Sequence, residues 1–272
     1  MQRVALSIGF VWCHFVGALA FSGDAPTPPT GVVAYAGDRS VIVQWNRSPE
    51  PTVSSYTVYG AASNAGPFVL LTPTRLRSPV FAHLSVTNGE PRFYRVRALT
   101  PAQEESADSS IVRAEPRAFR DDDDFLDYLQ RANFGYFWYE ANPANGLVPD
   151  RSTPTSPCSI AAVGFGLSAI TIGIDHGWIT REQGRTRVRT TLQTFWDKPQ
   201  GASVNGVIGH QGWFYHFLDM KTAARVWACE LSSIDTALLL AGVLHARQYF
   251  DGSDPDEAAI RSLADALFGR VD

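Results

Sequence analysis

Between Trp213 and Phe250 the chain sets aromatic, histidine and acidic residues immediately ahead of a strongly apolar run. Asp219, Glu230 and Asp235 are carboxylates able to hold sugar hydroxyls or move protons, and Trp213 and Tyr215 present flat faces of the kind on which sugar rings stack. His210 and His216 add hydrogen-bonding groups, and their spacing is not that of helical zinc ligands. The combination points to carbohydrate chemistry. Asp219, Glu230 and Asp235 are then the candidate catalytic residues, and His210, Trp213, Tyr215 and His216 the candidate substrate contacts. The aromatic surroundings of Asp219 would perturb its pKa; the competing reading is an aspartate that caps a turn before Lys221-Thr222. Glu230 and Asp235 read as lying at the start of a helix. A five-residue separation there turns them about 140° apart, so they need not face one site.

A second polar segment runs from Gly146 to Ser152. Its Asp150 and Arg151 suit sugar hydroxyls, or else pair with each other and fix the loop. The first segment also holds Arg225 and Trp227, to which no role is given. Each segment precedes an apolar helix, and loops carried on a rigid scaffold are where function collects. Ser232-Ser233 read as helix caps. No G-x-S-x-G nucleophile elbow is present, and Gly164-Phe-Gly166 reads as close helix packing rather than a phosphate loop.

Two kinds of element must position these residues. From about Pro28 to Glu115 the pattern has period two: Ser40 to Trp45, Ser55 to Tyr59 and Arg92 to Ala98 read as strands. In the last, Tyr94, Val96 and Ala98 share one face and Arg95 and Arg97 the other. Turn signals at Gly37-Asp38, Ser48 to Pro51 and Asn88-Gly89 separate them, which predicts a β-sandwich. From residue 121 onward only helices are expected. They run from about Asp122 to Tyr139 (with Phe125, Leu129, Ala132 and Tyr136 on one stripe), Ser159 to Asp175, Thr180 to Trp196, Ser232 to Phe250, and Asp254 to Phe268. Thr180 with Gln183 makes a capping box, and Asp254-Pro255 an N-cap followed by proline at the first helical position. Asp121 to Asp124 read as a solvated helix start, not a metal site. The second and fourth helices are apolar nearly all round and are expected to be buried on all sides, between amphipathic ones. Alternating outer and inner helices are what a double ring of helices would show.

A net charge of -4 and the lack of a basic run argue against nucleic acid. Arg3, the apolar stretch from Val4 to about Val16 and Ala18-Leu19-Ala20 read as a secretory signal over residues 1–20. A secreted or periplasmic protein is expected, with no stable membrane span after cleavage; an uncleaved anchor is the alternative. Cleavage would leave Cys158 and Cys229, either as one disulfide or as two buried thiols.

Residues 28–115 resemble a fibronectin type III module, through Pro29, Trp45, Tyr56, Leu84 and Tyr94-x-Val96-x-Ala98, with Arg92 where that module often has its corner tyrosine. Residues 121–272 resemble the glucoamylase-like glycoside hydrolases, a family that includes bacterial endo-β-1,2-glucanases. The resemblance rests on Phe134 to Trp138, Gly146 to Ser152, Ser159 to Gly166, Gly177 to Arg181, Phe214 to Asp219, Glu230 to Ala237 and Gln248 to Phe250. It departs at Ala223-Ala224, where the family tends to have a glycine turn. It implies a multidomain β + α protein, a fibronectin type III-like β-sandwich followed by a partial (α/α)6 toroid. It also implies carboxylate-driven hydrolysis of an oligo- or polysaccharide, a β-glucan such as β-1,2-glucan, with no cofactor and no metal. The family's double ring is closed and the segment 121–272 is read as its N-terminal part, truncated at its C-terminus and lacking about half of the catalytic domain. Two other readings stay open: a non-catalytic fragment whose module binds a surface or partner, and a polysaccharide lyase on the same toroid.

Overall fold

The computed structural model describes residues 25–153 and 155–271. The signal sequence expected at 1–20 lies outside the described residues. Seven strands form the first part: β1 (Val33–Gly37), β2 (Ser40–Gln44), β3 (Ser55–Ala61), β4 (Val69–Leu70), β5 (Val80–Leu84), β6 (Arg92–Leu99) and β7 (Val112–Ala114). They make two antiparallel sheets, ordered β1-β2-β5 and β4-β3-β6-β7. The alternation in β6 does what period two requires: Tyr94, Val96 and Ala98 are buried, while Arg97 bonds Asp108 and Glu105 on the outer face. Trp45 meets Tyr56 across the two sheets edge to face at 5.3 Å, inside a core shared with Val41, Val43, Val58 and Val96.

Helix α1 (Asp122–Gly135) starts on Asp121, whose carboxylate accepts the Asp124 amide. The acidic run is thus a capped helix start, and the Arg117 guanidinium holds the Asp124 carboxyl far below the usual range. The α-helix expected to reach Tyr139 ends at Gly135 and continues as a π-helical turn, Tyr136–Glu140. The wider turn gives the successive aromatics there separate neighbours. The Tyr136 hydroxyl donates to the Pro149 carbonyl, and Trp138 stacks on Phe134. Phe125 and Leu129, expected on a core-facing stripe, stay exposed. The face that docks is that of Tyr128, Arg131, Phe134 and Gly135.

The rest is not purely helical, contrary to the pattern reading. Strand β8 (Cys158–Ser159) leads into α2 (Ile160–Asp175). After α3 (Arg181–Asp197) come β9 (Gly209–His210), β10 (Trp213–Phe214) and β11 (Phe217–Leu218), then α4 (Ser233–Tyr249) and α5 (Pro255–Gly269). Two-residue strands carry no period, so no alternation announces them. The Thr180 capping box and the Asp254 N-cap are present as expected.

Helices α2 and α4 pack face to face, and α3 and α5 form a second layer behind them. Gly164 and Gly242 make the first contact possible, since a Cβ on either would overlap the other helix's backbone. Arg181, Arg185 and Arg189 of α3 pair with Glu257, Asp254 and Asp256 at the start of α5. Contrary to expectation, α2 and α4 are not buried on all sides. Phe165 and Ile172 of α2 and Ile234 and Leu244 of α4 remain 38–66% exposed. Among the described residues nothing covers that side of the pair. The two parts of the chain touch closely. Gly135 packs on the Gln44 side chain, Ser40 Oγ lies 3.0 Å from the Tyr128 hydroxyl, Ser78 donates to the buried Glu140 at 2.9 Å, and Arg131 lies over the Tyr35 ring at 3.7 Å.

Candidate active site

Strand pairing brings the two polar segments together. Phe217 pairs with Ser159 and Leu218 with Cys158 in the β8–β11 ladder, while Pro149 bridges to Cys158 and the Asp150 amide donates to the Pro157 carbonyl at 2.8 Å. The Gly146 to Ser152 loop and the segment ahead of α4 therefore share one face, at the start of the two packed helices. Both cysteines lie behind this seam, buried and unbonded: Cys229 Sγ donates to the Phe217 carbonyl, and burial pushes the Cys158 thiol far up. They are two separate thiols, not a disulfide.

His216 is the centre of the arrangement. Its main chain is clamped on both sides: the carbonyl accepts from the Ile160 amide at 3.3 Å, and the amide donates to the Glu230 carbonyl at 3.1 Å. Its imidazole lies flat on Phe217, centroids 3.7 Å apart. Nδ1 is 2.8 Å from Glu230 Oε1, and Nε2 is 3.7 Å from Asp235 Oδ2. Glu230 is not on the helix, as expected, but before it, in the extended segment where Leu231 bridges to Tyr215. Helical phase therefore does not separate the two carboxylates, and both reach one histidine. Glu230 is largely exposed; its own backbone amide and then His216 hold its carboxyl below the ordinary value. Asp235 is mostly enclosed. It accepts the Ser232 hydroxyl, while its amide donates to Ser232 Oγ at 3.2 Å.

The other expected residues are placed differently. Asp219 Oδ1 accepts from the Lys221 amide (3.0 Å), the Thr222 amide (2.8 Å) and the Thr222 hydroxyl (2.9 Å), and the Thr222 amide chiefly keeps its pKa low. That is an aspartate-capped turn. Ala223 sits in it at φ 62°, a left-handed position where a glycine would be at ease. Asp150 accepts two bonds from Arg151, at 2.9 and 2.7 Å, in a local ion pair. Tyr215 is buried in the helical core under the Arg225 guanidinium, 4.2 Å from the ring centroid, so it offers no open face. His210 and Trp213 are cross-strand partners in the β9–β10 hairpin, which is tied to α4 by the Phe214 amide donating to Thr236 Oγ1.

Two more side chains stand beside the cluster: Trp227, with no role assigned from the sequence, and Ser232, which caps α4 as expected. Trp227 is 68% exposed and meets Phe217 edge to face at 5.6 Å. Ser232 fixes Asp235. A tryptophan in a segment already rich in aromatics and acids was the available signal for the first. A groove of about 770 Å³ lies elsewhere, along the outer face of α3 between Thr186 and Lys198, and holds none of these residues. Among the described residues no group of three or more His, Cys, Asp or Glu is arranged to hold a metal.

No protein-family model matches the chain. An exo β-1,2-glucooligosaccharide sophorohydrolase (non-reducing end) from Parabacteroides distasonis is 30% identical over 260 residues, which is 92% of this chain and 34% of that protein. The crystal structure of a β-1,2-glucanase from the same species matches with a TM-score of 0.74 at 28% identity, over 91% of this chain and 34% of the other. The structure of a proposed glucoamylase from Bacteroides uniformis matches with a TM-score of 0.50 at 29% identity, over 56% of this chain and 36% of the other. The chain thus spans about a third of the length of its curated relative. Over the part it spans, this chain is similar in sequence and in structure to these β-1,2-glucan hydrolases, and in structure to a glucoamylase-like protein.

Proposed function

We propose that this chain carries a wall of the active site of a secreted glycoside hydrolase acting on a β-1,2-linked glucan. The observation that carries this reading is the convergence of Glu230 and Asp235 on His216, on a scaffold similar to that of β-1,2-glucan hydrolases. Breaking a glycosidic bond needs one group to protonate the leaving oxygen and a second carboxylate to activate water or attack the anomeric carbon. Because the two carboxylates flank one imidazole, their nearest oxygens are no more than about 9 Å apart, within the span that paired carboxylates use. Glu230 is ionised at neutral pH and suited to accept a proton or hold a hydroxyl. Asp235, enclosed and fixed by Ser232, is the better-positioned partner. His216 bonds Glu230 and stands 3.7 Å from Asp235, between the two carboxylates. Asp219 keeps its loop in shape, and Asp150 and Arg151 form the neighbouring rim. The two-layer packing of α2 and α4 against α3 and α5 is an arc of the (α/α)6 toroid in this reading. Secretion is inferred from the residue 1–20 pattern and is tested by N-terminal sequencing of exported protein.

The protein is tested on a panel of β-1,2-, β-1,3- and β-1,4-glucans, with reducing ends counted. Release from the β-1,2 polymer, falling about a hundredfold or more in Glu230→Gln, is the expected result. Absence of both binding and release on every glucan would sink the proposal. A second reading is favoured by the exposed apolar side chains of α2 and α4, which leave the pair uncovered. It predicts a non-catalytic chain whose sandwich meets a surface or partner, and a folded protein that releases nothing from any glucan would select it.

A further inference from the structure

We infer that Trp227 is the platform on which a β-linked glucosyl residue rests beside Glu230, a contact that rests on the reading of this cluster as a β-glucan site. Three features of Trp227 go against its local interest. It is a large apolar side chain left 68% exposed, so it gains little from burial. Its backbone is left-handed, φ 55°, a region that a bulky residue enters only under strain. Its contact with Phe217 is edge to face, at 68° and 5.6 Å, which steadies the indole without covering it. Neither core packing nor conformational preference accounts for a tryptophan held this way.

The rings continue from there. Phe217 lies flat against His216 at 3.7 Å, and His216 Nδ1 reaches Glu230 Oε1 at 2.8 Å. An aromatic row thus joins the exposed indole to a carboxylate that is itself open to solvent. A β-glucosyl ring fits that sequence chemically. All its substituents are equatorial, so each face shows only axial C–H groups, which suit the negative face of an indole. Its rim of hydroxyls then points sideways, toward acceptors such as Glu230. A sugar with an axial hydroxyl on the stacked face would lose the contact.

The test is isothermal titration of the whole protein with a β-1,2-linked glucose trisaccharide, for wild type, Trp227→Phe, Trp227→Ala and Trp227→Gly. Removing the ring should weaken binding roughly tenfold or more, and Trp227→Phe should keep most of it. Trp227→Gly should hold or raise the melting temperature, because glycine accepts a left-handed backbone freely. Loss of binding with retained stability would establish a ligand contact. Equal binding by wild type and all three variants would overturn the inference and leave the site reading intact. Binding lost together with a lowered melting temperature in Trp227→Gly would overturn it in favour of a structural role. A folded wild type that binds no β-glucan would overturn both.

Discussion

Asp219 and Glu230 carry the same charge, lie in the same segment and have opposite surroundings. Asp219 spends one oxygen on three donors in its own turn, whereas Glu230 reaches beyond its own turn to His216, between β10 and β11. Asp219→Ala should therefore cost stability, about 1 kcal/mol by urea denaturation, and reduce activity far less than Glu230→Gln. The sign with pH follows from the lowered carboxyl. The Asp219 contribution is present at neutral pH and above its unfolded pKa, and it fades as pH falls through the folded one. A urea midpoint for Asp219→Ala that equals wild type at pH 7 would contradict this. The sequence supplied residue types and left the Asp219 turn as one of two readings. That Glu230 and Asp235 meet on His216 was not legible. It depends on the Tyr215–Leu231 bridge and on where α4 begins, and neither is set by local pattern.

At the scale of elements, the contact between α2 and α4 is set by two glycines. Gly242→Ala or Gly164→Ala should force the helices apart and cost about 1–3 kcal/mol, seen as a lower urea midpoint with an unchanged slope. A midpoint equal to wild type would show that the helices do not approach as closely as described. The starts of α3 and α5 were legible because their causes are local: Thr180 with Gln183 and Asp254 with Pro255 are caps spelled out in nearby residues. The short strands β8 to β11 were not, because two residues show no alternation and β8 finds its partner, β11, far along the chain. The apolar composition of α2 and α4 was read as burial on all sides, yet Phe165, Ile172, Ile234 and Leu244 face outward. Composition reports what a helix can bury, and only neighbours decide what it does bury.

For the whole molecule, the sandwich and the helical part act as one body. Gly135 sits on Gln44, and Glu140 is buried between Ser78 and, at 3.6 Å, Arg47. Wild type should therefore unfold in a single calorimetric transition. Gly135→Val should lower its midpoint or split it in two, at a cost of about 1–3 kcal/mol. Two separate transitions in wild type would mean that the contact contributes little. Both parts are legible from their differing periods, whereas this contact is not, because it joins side chains of opposite halves. A hydrolase whose accessory module hangs on a slack tether can swing over a polymer and sample many bonds from one anchorage. In the proposed hydrolase the contacts at Gln44, Ser78 and Arg47 would take up that swivel, so that whatever surface the sandwich met, the Glu230 face would meet it at one bearing.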